Sequence, residues 1–274
     1  MALELNVLSD AKGSNPGGLA RITNGRDNFD VYFKYVYGSK IPVGFSNLKS
    51  DHQPVYEAIT FELARRLGLS TPSFFVLLND KNDVKFNYGK NVSKKKHSGR
   101  LYYFISKIIK ESSIDKKQLN EIGNTIVEEE RPYLEMLQID DILGVRQNYL
   151  VDSANAKVFY IDLGCSFVHA KEGFIYFPSR SRKINHNEKR NKKGRCQLKR
   201  KNVIKLDNVG ELINLEGIVS NFRNLMVPTL NPFGRKKISD LISIREIEEV
   251  EDYIRYGFCN NLKSLEERKI LIIN

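Results

Sequence analysis

Three short runs near the start of the chain alternate between apolar and polar residues. They cover residues 3–9, 19–23 and 29–36, and a period of two is typical of strands that bury one face. The stretch 10–18, between the first two runs, is rich in Gly, Asn, Asp and Pro, which favour turns. The pattern therefore predicts three consecutive strands joined by turns.

The spacing of the apolar residues then changes from two to four. Behind a proline and before a glycine, apolar side chains recur at Val55, Ile59, Leu63 and Leu67. This spacing and these flanking residues predict a helix over 55–67. Two more strands are predicted at 73–78 and 100–109, with a polar, lysine-rich excursion at 93–98 between them.

Beyond residue 110 the pattern is mainly helical. Helical spacing is found in four stretches, at 115–122, 128–143, 209–222 and 238–256. Two short apolar runs, 148–151 and 158–161, flank a polar turn and predict a hairpin. The predicted fold class is α+β in two lobes. The N-lobe, residues 1–110, is β-rich with one main helix, and the C-lobe, residues 111–274, is mainly helical.

Composition narrows the class of protein. The 15 Phe and 13 Tyr can fill a core, and the three cysteines contain no CxxC pair, which argues against a zinc site or a disulfide scaffold. No signal peptide is visible at the start, and no apolar run reaches the ~18 residues of a membrane-spanning helix. We expect a soluble, cytoplasmic monomer without a transmembrane segment. Export into a host cell without a cleavable signal is left open.

The charge lies almost entirely in one segment. Residues 180–201 carry eleven Lys and Arg against the single Glu188, whereas the net charge of the whole chain is +11. A nearly neutral globule with one basic excursion argues against a nucleic-acid-binding fold, whose basic surface is usually part of the scaffold. The segment is either a solvated excursion or a functional site. As a site it would bind an acidic protein or a lipid headgroup, or direct the protein to the nucleus of a host cell.

The groups that phosphoryl transfer needs occur along the chain in a workable order. A triphosphate needs backbone N–H donors from a close loop, a cation, and oxygen ligands for magnesium. The loop between the first two strands offers Gly13, Ser14, Gly17 and Gly18. An ordinary hairpin turn has the same composition, so the loop alone does not decide its role.

Three further groups follow the loop. Lys34 lies inside an apolar strand, where a charge is costly unless it is paired. Glu57, near the start of the predicted helix, is the expected partner, and Glu62 on the same helix is the alternative. Asn148 and Asp162 lie on the predicted hairpin, where amide and carboxylate oxygens are able to hold magnesium. Each residue taken singly also has an ordinary structural explanation.

The order of these residues resembles the protein-kinase-like superfamily, most closely its HipA-type and phosphatidylinositol-kinase-like branch. The resemblance covers about residues 8–170. It implies that Lys34 binds the ATP phosphates, that Glu57 pairs with it and that Asn148 and Asp162 hold magnesium. Adenine would contact a hinge near 108–111, including Ile108 and Ile109.

The catalytic base departs from the pattern of the superfamily, since Leu143 occupies its usual position. Asp141 is the preferred base, with Asp140 beside it, and Arg146 is expected to neutralise charge in the transition state. The alternative is that a standard base is absent.

The resemblance implies an ATP- and magnesium-dependent serine/threonine protein kinase of bacterial toxin or effector type that phosphorylates itself. Ser179 and Ser181 beside the basic segment are candidate sites, and the other acceptor is an acidic or host protein. The alternatives are a lipid or small-molecule kinase, a pseudokinase that binds nucleotide as a scaffold, and a nucleic-acid-binding protein. Only the basic segment supports the last of these.

Overall fold

The computed structural model describes residues 3–11, 16–24, 28–35, 47–81, 83–90, 92, 97, 99–109, 116–137, 148–152, 155, 157–163 and 221–251. The strands in these ranges are β1 (Glu4–Asp10), β2 (Gly17–Thr23), β3 (Asn28–Lys34), β4 (Phe74–Leu78), β5 (Lys85–Tyr88), β6 (Tyr102–Lys107), β7 (Tyr149–Asp152), β8 (Lys157–Tyr160), β9 (Met226–Leu230) and β10 (Gly234–Lys237). The longer helices are α1 (Gln53–Arg66) and α2 (Lys116–Met136), with 3-10 turns at Ser50–His52, Phe222–Asn224 and Ile238–Asp240. Residues 244–251 are also helical.

Eight of the described strands form one sheet in the order β10-β9-β4-β6-β3-β2-β1-β5. Neighbouring strands are antiparallel except for the β4–β9 and β1–β5 pairs, which are parallel. β1, β2 and β3 follow one another as the alternating runs predict. β9 and β10 come from far along the chain, yet they extend the same sheet beyond β4.

The sheet buries apolar side chains on both faces. On one face, the core packs against α1 and includes Phe61, Phe74, Phe104 and Val227. The other face has a separate core that includes Leu5, Phe33, Tyr103 and Leu230. Because successive residues of a strand point to opposite faces, neighbours such as Phe33 and Lys34 belong to different layers.

Helix α1 packs on the sheet and is also covered by the late segment, which we define as residues 221–251 and which includes the sheet strands β9 and β10. Pro54 stands in the first turn, where its missing N–H costs nothing, and every residue from Pro54 to Ala64 is buried. Gly68, with φ +86, ends the helix in a left-handed conformation that favours glycine. A helix that is buried all round needs cover on both sides, and here the sheet and the late segment provide it.

Helix α2 and the β7–β8 hairpin pack together. The hairpin has the predicted position and pairs antiparallel, with Tyr149 opposite Tyr160. Gly123 of α2 touches it closely, since a Cβ on Gly123 would lie 2.5 Å from Cε2 of Tyr149. α2 is one continuous helix where the pattern predicts two separate helical stretches, 115–122 and 128–143.

The described residues make a mixed, β-rich architecture compatible with the predicted α+β class. Strands β5, β9 and β10 were not predicted, and residues 209–220 lie outside the described ranges. The division into lobes at residue 110 stays a prediction, with the added fact that the late segment joins the sheet of the first third. None of the described helices is long and apolar enough to cross a membrane.

Candidate functional site

The centre of the site is the ammonium group of Lys34 between two carboxylates. Its Nζ lies 2.8 Å from Oε1 of Glu57 and 2.7 Å from Oδ1 of Asp162. The side chains of Lys34 and Glu57 are only 7% and 3% exposed, whereas that of Asp162 is 24% exposed. The sequence singles out all three residues, and the structure brings them together from three elements.

The sheet register and the hairpin explain why these groups meet. Lys34 is the last residue of β3 and lies between Gly17 of β2 and Phe104 of β6. Glu57 lies in the second turn of α1, which packs on β6. The hairpin is attached to the loop after α1, because the Tyr160 N–H donates to the Ser70 carbonyl at 3.0 Å.

The electrostatics of the three groups fix the charge of Lys34. Burial disfavours the ammonium form, but the two carboxylates outweigh burial and raise the pKa of Lys34 above its ordinary range. Of the two carboxylates, Asp162 is the more exposed and is the one that a cation from solution can reach.

Glu62 is not the partner of Lys34, which corrects the alternative assignment. It lies on another side of α1, where Oε1 is 2.8 Å from Nη2 of Arg235 and 3.7 Å from Nε of Arg66. Five residues along a helix correspond to a rotation of about 140°, so Glu57 and Glu62 face different neighbours.

Asn148 lies at the same end of the hairpin as Asp162. The Ile161 N–H donates to the Asn148 carbonyl at 3.0 Å, which closes the hairpin just before Asp162. One carboxylate and one amide at one strand end fit the oxygen ligands that Mg²⁺ accepts, since this ion usually takes one or two protein oxygens and completes its shell with water and phosphate. Among the described residues, no three His, Cys, Asp or Glu side chains form a group that could hold a metal ion.

Gly17 and Gly18 have a structural reason to be glycines. A Cβ on Gly17 would lie 2.1 Å from the Phe33 carbonyl oxygen, and one on Gly18 would lie 2.1 Å from that of Ser9. Tight backbone pairing at the foot of the loop therefore requires both glycines with or without a phosphate. Gly13 and Ser14 of the same loop lie outside the described residues.

The remaining predicted residues fall into two groups. Ile108 and Ile109 directly follow β6, and Ile108 is 44% exposed with its N–H donating to the Asp30 carbonyl at 3.3 Å. The other group lies outside the described residues: Asp140, Asp141, Arg146, Ser179, Ser181 and the basic segment 180–201. Their roles stay predictions.

Sequence reasoning missed an apolar surface beside Lys34. Leu19 stands opposite Tyr32 in the β2–β3 pair, and Tyr32 lies two residues before Lys34. The side chains of Leu19, Tyr32 and Lys34 therefore lie on the same face of the sheet. Leu19 is 39% exposed, and the Tyr32 ring centroid lies 6.0 Å from the Lys34 Nζ. Side chains of β3 alternate between the two faces of the sheet, so Tyr32 is expected on the face of Lys34. The period of two in the sequence was therefore a signal from which this surface could have been predicted.

No family model matches this chain, and no curated protein matches it. The function therefore has to be inferred from the chemistry of the site. A buried ammonium, a partly exposed carboxylate, an amide at the same hairpin end and an adjacent apolar surface together suit a ligand with anionic groups and a flat apolar part.

Proposed function

We propose that the chain is an ATP- and magnesium-dependent kinase whose acceptor is a serine or threonine of a protein. The observation that carries the proposal is the contact of the Lys34 ammonium with both Glu57 and Asp162. In protein kinases a lysine of the third strand pairs with a glutamate of the following helix, and a later aspartate holds magnesium.

The order of elements supports the same proposal. In chain order, three antiparallel strands are followed by a helix packed on the sheet, then by β4, the edge strand β5 and β6, and then by α2 and a separate hairpin. This is the arrangement expected for the N-lobe of a bilobal kinase-like fold with the metal-binding hairpin after it. The late segment is an addition to that plan.

Each residue has a defined task in the proposed reaction. Lys34 binds the phosphate oxygens and Glu57 holds its ammonium in place, while Asp162 and Asn148 would hold magnesium. Bound magnesium neutralises the charge that develops on the transferred phosphoryl group. Leu19 and Tyr32 offer the apolar face on which a purine ring would lie.

Transfer of labelled phosphate tests the proposal directly. The purified chain is incubated with magnesium and γ-labelled ATP beside Lys34→Ala and Asp162→Ala, with Lys107→Ala as the matched control because Lys107 is exposed on β6. We expect label on the wild type and on the control, and a loss of about 100-fold or more in the two site variants. Mapping of the label tests Ser179 and Ser181.

Two results would contradict the proposal. Equal labelling of all four proteins would remove Lys34 and Asp162 from the site. ATP binding by the wild type without any label, including on added protein substrates, would favour the pseudokinase alternative. Label on a lipid or small metabolite alone would change the acceptor and keep the site.

A further inference from the structure

The late segment binds α1 through a buried carboxylate. Glu246 is 0% exposed, and its Oε1 lies 2.6 Å from Nδ1 of His52 and accepts a hydrogen bond from the Tyr56 hydroxyl at 2.6 Å. Its Oε2 accepts bonds from the Ser243 N–H at 2.9 Å and the Ser243 hydroxyl at 2.7 Å. A buried acid is stable only when its oxygens are satisfied in this way.

Glu246 contacts α1 directly beside Glu57, the residue that pairs with Lys34. Tyr56 directly precedes Glu57 in α1, and the two side chains are 2% and 3% exposed on different sides of the helix. Tyr56 reaches outward to Glu246, and Glu57 reaches inward to Lys34. A shift of this turn away from the late segment would therefore change the distance from Glu57 to Lys34.

A second contact fixes the other half of α1. Nη2 of Arg235 donates to Oε1 of Glu62 at 2.8 Å and to the Met226 carbonyl at 2.6 Å. Apolar residues of the late segment belong to the same core as α1: Phe222, Leu225, Ile238, Leu241 and Ile247. One stretch of chain thus makes polar contacts with both halves of α1.

We infer that Glu246 is a positioning residue for the Lys34–Glu57 ion pair, and that the late segment holds α1 in the position that lets the pair form. The effect on phosphoryl transfer rests on the proposed function, whereas the effect on Lys34 itself does not. Loss of the Tyr56–Glu246 contact is therefore expected to loosen the Glu57–Lys34 pair without a change at either of those two residues.

The test compares Tyr56→Phe, Glu246→Gln and the control Tyr102→Phe in the full chain. Tyr102 also donates its hydroxyl to the late segment, to the Leu241 carbonyl at 2.6 Å, but from β6 and not from α1. Tyr56→Phe also removes the acceptor of the Lys49 N–H. Glu246→Gln leaves that acceptor in place. The Tyr56–Glu246 contact is therefore the one change that the two variants share.

The first readout needs no nucleotide. Trace acetylation with acetic anhydride, mapped by mass spectrometry, compares Lys34 with exposed Lys85 in the same sample. We expect Lys34 to react about fivefold faster in Tyr56→Phe and in Glu246→Gln, the factor for one lost hydrogen bond, and to be unchanged in Tyr102→Phe. Unchanged Lys34 reactivity in the first two variants, or an equal rise in all three, overturns the inference.

The second readout separates the inference from the proposed function. In labelling with ATP, Tyr56→Phe should lower kcat about fivefold in the wild-type background and have no further effect in a Glu57→Gln background, because it acts through Glu57. Additive losses in the two backgrounds overturn the inference. An absence of transfer in the wild type, together with the expected Lys34 reactivities, rejects the proposed function and keeps the positioning role.

Discussion

At Lys34, one ammonium group compensates two carboxylates in a place with little water. Glu57 is 3% exposed, so water has little access to its carboxylate if Lys34 is lost. Removal of one member of a buried ion pair is much more costly than removal of the whole pair, because the remaining charge is left without compensation. The residue that is proposed to bind phosphate is therefore also important for the stability of the fold.

We expect Lys34→Met to lower the free energy of unfolding by about 3 kcal/mol. Adding Glu57→Gln to Lys34→Met should recover part of that loss, because it removes the buried carboxylate that has lost its Lys34 counterion. Urea denaturation of both variants at neutral pH measures the effect, with Lys107→Met as the control on an exposed lysine. A loss below about 1 kcal/mol in Lys34→Met would show that the pair is hydrated in solution.

At the scale of elements, the hairpin that carries Asp162 depends on its contact with α2. Gly123 lets the two approach, and two tyrosine hydroxyls reinforce the contact: Tyr149 donates to Asn124 at 2.9 Å and Tyr160 donates to Glu130 at 2.6 Å. Burial raises the pKa of Glu130 above its ordinary value, and the hydrogen bond from Tyr160 opposes this shift without cancelling it. Because Tyr149 and Tyr160 are partners in the register, α2 fixes both strands of the hairpin at the end that leads to Asp162.

Gly123→Ala should destabilise the protein by about 1–3 kcal/mol. An alanine inside a helix normally stabilises it by about 1 kcal/mol relative to glycine, but here the new methyl group would overlap the Tyr149 ring. Thermal or urea unfolding measures the change, and Glu129→Ala at an exposed position of α2 is the control. A stabilised Gly123→Ala variant would mean that α2 and the hairpin are not in contact.

The sequence predicts the elements whose signals are local. The alternation around Lys34, the four-residue spacing of α1 and the two runs of the hairpin each lie within a few residues, and all three were found. The pairing of β9 with β4 and of Arg235 with Glu62 joins residues more than 140 positions apart, and no local pattern encodes such contacts. The role of Glu246 was missed for the same reason.

At the scale of the whole molecule, the buried Glu246 couples stability to acid. Burial favours the neutral acid, but hydrogen bonds from His52, Tyr56 and Ser243 favour the carboxylate more strongly and lower the pKa of Glu246 to about 2, from an ordinary value of 4.5. A group whose pKa is lower in the folded state stabilises the fold above its unfolded pKa. That contribution is lost as the pH falls from about 4.5 towards 2.

Between pH 5 and pH 3 the wild type should therefore lose stability faster than Glu246→Gln, by up to about 1.4 kcal/mol per pH unit. Glu246→Gln removes this one titrating group, so the difference between the two curves reports its contribution. Urea denaturation at half-unit steps of pH provides the two curves. Parallel curves would show that Glu246 is solvated in the folded protein.

The contact between Glu246 and Tyr56 joins positions 190 residues apart, which has a consequence for synthesis. While the ribosome is still adding the residues before 221, the outer side of α1 has none of the apolar cover that the late segment supplies. A message truncated after residue 163 would encode Lys34, Glu57 and Asp162 but none of the contacts that the late segment makes with α1. Nonsense mutations between codons 164 and 246 should therefore be as damaging as substitutions of Lys34 or Asp162, and the nascent chain is a natural client for chaperones until residue 251 is translated.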